Sequence, residues 1–464
     1  MKRIVPFFIL FIFISVFVLS GCREPDRNAE LKDLLSSNVS SLEETFSKET
    51  CAYGLFTDYM TTWAKSSGVD VVYKGEHSTV LVNKATEGCG KEPSTVLLCN
   101  FDTSDVESSL ETLATAETSL LGPAEHGKIS LVITEKNEGR FIGIEELPEK
   151  YLSADNLINM QPSSSDTVFV SGPRNAVCKM HESGKTKTSR YSNAYEITMT
   201  MPLYTDPYDF VKDNNYPNPI NTIGSFLATQ KSSGKLFDIA DFNCKYTDGY
   251  TPYSAKAIIV IDDNNIESFN NKFSKAYENV KKKFDKLETD FVFTFSETEM
   301  PDRVLGDEVS NNLISLMYTL NTGICLQDED TGIIKASSYI KSISTEKGDL
   351  DIVIDMRTRG ESYLDNISTE YMTTAGLCST EYSCKKRGLL WSAGDKSELK
   401  EFFTKAVPLL DGDSDMNLRT YENDFIAQND PDRNMIIYTF EDSHKNAAME
   451  NIVNFMDPNY SKQN

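Results

Sequence analysis

Histidine is nearly missing from this 464-residue chain. There are 4, too few to furnish a multi-zinc centre with its commonest nitrogen ligand. Positive charge is short as well: 46 Lys and Arg stand against 70 Asp and Glu, for a formal net charge of −24. That balance excludes the basic face on which nucleic-acid binding depends. None of the 9 cysteines forms a Cys-x-x-Cys pair, so zinc ribbons and thioredoxin-like motifs are out. Also missing are a Gly-x-Ser-x-Gly elbow, a Walker A loop, His-Glu-x-x-His and Gly-x-Gly-x-x-Gly. No internal repeat is evident at solenoid periods. What is present is an ordinary globular composition, 39% hydrophobic and 25% charged, with length for two or three domains.

The one long apolar run, residues 6–19, follows Lys2 and Arg3 and is short for a membrane span. It ends in Leu19-Ser20-Gly21-Cys22, which resembles a bacterial lipobox. The expectation is a signal peptide at 1–21, lipidation of Cys22, and a mature chain anchored extracytoplasmically in the bacterial cell envelope. Residues 22–40 are polar and read as a tether. An exported chain permits disulfides, and Cys378 with Cys384 forms a candidate pair, with isolated thiols as the alternative.

Helical spacing of Leu42, Phe46, Leu55, Tyr59 and Trp63 predicts a helix over 41–66, stopped by Gly68. Strands are expected at 69–73, 79–83, 94–99 and 129–134. Between the last two, Ser104-Asp105-Val106-Glu107 fits a capping box and opens a helix to about 120. This alternation over 41–175 favours a largely parallel sheet. Further strands are expected at 196–202, 255–262, 290–295, 350–356 and 434–440. Helices are expected at 266–287, 307–320, 363–375, 396–406 and 447–456. The loop Asp411-Gly412-Asp413-Ser414-Asp415 looks like the start of a calcium loop but lacks a Glu at EF-hand spacing.

Residues 59–102 (YMTTWAKSSGVDVVYKGEHSTVLVNKATEGCGKEPSTVLLCNFD) resemble the opening of the aminoacyl-histidine dipeptidases. These are di-zinc exopeptidases, related to carnosinases and carboxypeptidase G. Further segments recur in order: Leu157-Ile158-Asn159, Asp241-Phe242-Asn243 followed by Pro252, and Ile354-Asp355-Met356-Arg357. The resemblance implies an α/β fold: a two-segment peptidase-like catalytic domain, 41–194 and 384–464, with an inserted α+β lid or dimerisation domain, 195–383.

Carried over residue by residue, the family's site is largely replaced. Its His-x-Asp falls on Asn100-Phe101-Asp102, an amide where a zinc-binding imidazole belongs. No bridging Asp is found between Asp102 and Leu121. Thr-Glu-Glu falls on Thr134-Glu135-Lys136, which keeps the general-base Glu135 but sets an ammonium at a cation position. The next ligand falls at Gln161, and only His444 is a candidate for the last. The family's His-Ser-Gly-Gly is replaced by Thr205-Asp206-Pro207-Tyr208, and its Arg-Asn by Asp248-Gly249. Arg357 keeps a substrate role as a carboxylate clamp, with Lys136 as a second cation. Taken alone, Asp102 also reads as a helix cap, Glu135 as one more carboxylate, and Arg357 as a strand-end base. His77, His126 and His181 sit in polar turns, too scattered for a ligand set.

The expectation is therefore an exported, peptidase-like protein without hydrolytic activity, binding a peptide, a glycan or a partner protein in the old cleft. No cofactor is implied by that reading. The alternatives are an active dipeptidase holding zinc through displaced ligands, or a structural envelope lipoprotein whose inserted domain makes homodimer contacts.

Overall fold

The computed structural model describes residues 27–464 except 47–49, 138–139, 202–217, 247–250, 286–289, 330–331, 333, 395, 408–417, 419–420, 458 and 460–464. Cys22, Thr205–Tyr208, Asp248-Gly249 and the Asp411–Asp415 loop therefore lie outside the described residues. No helix among the described residues is long and apolar enough to cross a membrane.

Near-continuous apolar runs make the centre of the first sheet. Thr95–Asp102 (β3) lies parallel to Ile129–Lys136 (β4) and Asn156–Pro162 (β5), and Met435–Phe440 (β18) lies parallel to β5. All four are almost wholly buried, as strands covered on both faces must be. Asp70–Lys74 (β1) and Ser78–Asn83 (β2) add antiparallel strands beside β4, and Thr167–Phe169 (β6) adds one beside β18. The order is β1-β2-β4-β3-β5-β18-β6.

One face of this sheet carries Tyr53–Ser67 (α2), Glu107–Leu121 (α3), Glu398–Ala406 (α9) and Lys445–Met456 (α11). Gly68 ends α2 in the left-handed region, φ 73°, where its N–H reaches the Ala64 carbonyl. The opposite face holds Ile142–Glu146 (α4), Trp391 and Glu422–Ile426 (α10).

Three expectations change here. The tether is helical: Arg27–Thr45 (α1) buries Leu31, Leu35, Val39 and Leu42 along one stripe, and Asn38 donates to Thr118 Oγ1 of α3 at 3.1 Å. The long helix expected at 41–66 is thus two, α1 ending at Thr45 and α2 starting at Tyr53. The capping box does not form either, because α3 begins only at Glu107. Asp102 does that work upstream. Its Oδ1 accepts from Ser104 N (3.0 Å), Ser104 Oγ (2.6 Å) and Asp105 N (3.2 Å).

The middle of the chain builds two antiparallel sheets. One has the order β14-β15-β16-β7-β17: Gly323–Gln327, Ile334–Ser344, Leu350–Thr358, Arg174–Glu182 and Glu381–Leu389. The other has the order β10-β11-β9-β12: Phe237–Lys245, Ser254–Ile261, Asn193–Thr200 and Val292–Glu297. A small ribbon, Thr186–Lys187 (β8) with Val304–Leu305 (β13), lies between them in sequence. Pro219–Ser232 (α5), Ile266–Phe284 (α6), Asp307–Thr319 (α7) and Glu361–Leu377 (α8) share one apolar core with these sheets. Sheet membership changes between Phe169 and Arg174 and again between Leu389 and Met435, against expected segment ends at 194 and 384.

Cys384 does not face Cys378. Antiparallel register sets it opposite Cys178, Sγ to Sγ 2.7 Å, while Cys378 is buried at the end of α8. Closeness in sequence favoured the wrong partner because the chain turns back at Thr380 into β17.

Candidate functional site

The carboxyl ends of the parallel strands form the usual ligand-binding edge of an open α/β sheet. Here they are lined by polar side chains at alternate positions, which place i and i+2 on one face. β3 contributes Asn100 and Asp102, β4 contributes Thr134 and Lys136, and β5 contributes Asn159 and Gln161. Parallel register sets Asn100 beside Thr134 and Asp102 beside Lys136.

These groups bond to one another. Thr134 Oγ1 donates to Asn100 Oδ1 at 2.9 Å, and Asn100 Nδ2 donates to Gln161 Oε1 at 3.2 Å. Gln161 Nε2 donates to Asn159 Oδ1 at 2.7 Å. The network closes on Glu422 of α10, which sequence reasoning missed. Glu422 Oε2 accepts from Asn159 Nδ2 (3.0 Å) and Gln161 Nε2 (3.2 Å), and Oε1 lies 3.1 Å from Thr134 Oγ1. Asn159 Nδ2 also reaches Asn423 Oδ1 at 2.7 Å. Glu422 and Asn423 are fully buried, so α10 sits in the strand-end centre as a plug. Burial raises the Glu422 carboxyl above its ordinary value, and its hydrogen bonds and the nearby Lys136 charge offset this only in part.

Lys136 is already paired, its ammonium 3.4 Å from Asp102 Oδ2. Glu135 points to the other side of β4, where Oε1 accepts from Thr103 Oγ1 (2.8 Å) and Oε2 lies 2.6 Å from His77 Nδ1. That contact raises the His77 imidazole above its ordinary value. The scattered His77 thus has a functional-looking partner that no sequence spacing announced. His444 does not join the network: it pairs with Asp166 at 2.9 Å and is half exposed.

Arg357, at the end of β16, reaches across to the plug. Its Nη1 donates to the Leu418 carbonyl at 3.0 Å and lies 3.5 Å from Asp424 Oδ2. Asp424 Oδ1 accepts from Trp391 Nε1 at 3.1 Å. Both charged side chains are about a tenth exposed, so the expected carboxylate clamp already holds a carboxylate of its own chain.

The strand ends present three amides, a hydroxyl and two buried carboxylates, Asp102 and Glu422, of which Asp102 already faces the Lys136 ammonium. Amides are poor zinc ligands, and Lys136 sets a cation beside them. Among the described residues no three His, Cys, Asp or Glu side chains are gathered to hold a metal. The residues present do not fit a zinc pair.

No family model matches the chain, and no curated protein matches it. Solved structures do. Human carnosine dipeptidase 1 aligns over 93% of this chain and 98% of its own, at 9% identity and TM-score 0.40. Aminopeptidase PepT from Bacillus cereus aligns over 93% and 99%, at 10% and 0.45. Aminoacylhistidine dipeptidase from Vibrio alginolyticus aligns over 92% of this chain and 96% of its own, at 16% identity and TM-score 0.50. At such identity the likeness shows architecture alone: the chain has the fold of an aminoacylhistidine dipeptidase along nearly its whole length.

Proposed function

We propose that this is an exported, lipid-anchored protein of the bacterial cell envelope that uses a dipeptidase-like fold for binding rather than hydrolysis. Export and anchoring rest on the basic start, the apolar run and Cys22. Loss of hydrolysis rests on one observation above the others. The strand ends, where the resemblance assigns the metal ligands, are spanned by the network of Asn100, Thr134, Asn159 and Gln161, closed by Glu422. A two-metal site polarises a carbonyl and deprotonates water. Amides with committed hydrogen bonds do neither.

The purified chain is expected to carry far less than one zinc by elemental analysis and to leave Xaa-His dipeptides intact. About two zincs per chain, with dipeptidase activity lost on chelation, would overturn the reading, since that stoichiometry is the two-metal clamp.

A further inference from the structure

Strands β7 and β17 form the neck of the inserted part: the chain enters through β7 and leaves through β17, and the two pair as antiparallel neighbours. Their register sets Cys178 directly opposite Cys384. Opposed residues in such a pair hold their Cα atoms about 4.5–5.5 Å apart, within the span of about 4.4–6.8 Å that a disulfide bridges. Both side chains turn to the face covered by α8, and their sulfurs are 2.7 Å apart. Tyr382 links the pair to that helix. Its hydroxyl lies 3.0 Å from Cys178 Sγ and 2.9 Å from Ser368 Oγ.

The two thiols are chemically uneven. Cys178 is wholly buried, whereas Cys384 is partly exposed on β17, the outer strand of its sheet. The Cys178 thiol donates to the Cys384 sulfur, and the hydroxyls of Ser368 and Tyr382 and the Lys386 ammonium add to this, so the Cys384 thiol is held below its ordinary range although burial opposes it. The same contact, together with burial, pushes the Cys178 thiol up. A thiolate within reach of solvent, beside a thiol that is not, is the arrangement of an attacking and a resolving cysteine.

We propose that Cys178 and Cys384 are a redox-active pair that closes, by exchange with an incoming organic disulfide, into a bond across the neck of the inserted part. Cys384 Sγ attacks one sulfur of the incoming disulfide, whose S–S bond breaks and releases one thiolate. Cys178, its proton given to water, then attacks Cys384 Sγ and expels the second thiolate. The two cysteines lose two electrons, the incoming disulfide gains them, and its two thiolates take up the two protons. The new bond joins positions 206 residues apart and encloses the inserted elements from β8 to α8. Closing so long a loop removes freedom from the unfolded chain, so the oxidised form holds the inserted part more firmly. The pair is separate from the strand-end centre and does not depend on what that centre does.

The purified chain, fully reduced and then held with oxidised glutathione at pH 7, tests this. Peptide mass mapping should find the Cys178 and Cys384 peptides joined. Cys178→Ser should instead retain glutathione on Cys384, and Cys384→Ser should react at Cys178 about tenfold more slowly or not at all. The joined chain should melt about 2–5 °C above the reduced one. Should a serine variant fail to fold by near-UV circular dichroism, the mapping and melting of the parent chain decide. No link between these two peptides, a dominant link between other cysteines, a Cys178 that reacts as fast as Cys384, or an unchanged melting temperature would each overturn the proposal.

Discussion

Glu422 shows how one side chain can report on a site. Thr134 has a single hydroxyl proton, which it gives to Asn100. A protonated Glu422 completes the chain by donating back to Thr134, while its other oxygen accepts from Asn159 and Gln161. Glutamine reproduces that pattern with an amide. The folded-state pKa lies above the ordinary 4.5, so between 4.5 and the raised value the native state keeps a proton that the unfolded chain gives up. Stability therefore falls as pH rises through that window, and Glu422→Gln should abolish this part of the fall. Denaturant midpoints at pH 5 and pH 8 should show the stability difference between variant and parent moving in the variant's favour at the higher pH. Glu422→Ala should instead cost about 1–3 kcal/mol, because it strands buried amide donors. The sequence carried half of this site. Asn100, Lys136 and Gln161 were legible as strand-end residues because the resemblance gave them positions. Glu422 and Asp424 were not, since Glu422 meets its strand-end partners across 261 or more residues and Asp424 meets Arg357 across 67, and no spacing rule reaches that far. Arg357 was legible as a strand-end cation, but its partners Leu418 and Asp424, 61 and 67 residues on, lie beyond any local spacing rule.

At the scale of elements, periodicity served well wherever apolar residues were frequent. Strands β3, β4 and β18 and helices α6, α7 and α11 were expected within a few residues of where they lie. Helix α1 was hidden by composition: its leucines are diluted by Ser, Asn, Asp and Glu, and a polar stretch behind a lipobox reads as a spacer. What it does is cover α3, burying Leu35 to 1% and Leu42 to nothing exposed. A spacer would tolerate truncation of those side chains. Here Leu35→Ala should cost about 2–4 kcal/mol in chemical denaturation, the range for a leucine cut from a packed core. An unchanged midpoint would return α1 to the status of a tether.

For the whole molecule, the largest consequence of the sequence lies before the first described residue. On the proposed lipid anchoring, Cys22→Ser should abolish acyl labelling and move the chain from the membrane fraction to the soluble one, because the acyl chains would be carried at that position. Continued membrane partitioning of the variant would place the anchor elsewhere. The fold itself imposes an order on biosynthesis. Strand β18, residues 435–440, fits between β5 and β6, so the first sheet is incomplete until residue 440 has been made. Until then β5 presents an open, apolar edge, the kind of surface that recruits strands from other chains. For some 270 residues of synthesis the nascent protein carries this exposed seam, while the inserted sheets form from hairpin pairings such as β15 with β16 and from long-range ones such as β7 with β16. The plug α10 and strand β18 arrive together, close the seam, and seal the strand-end centre in the same late event.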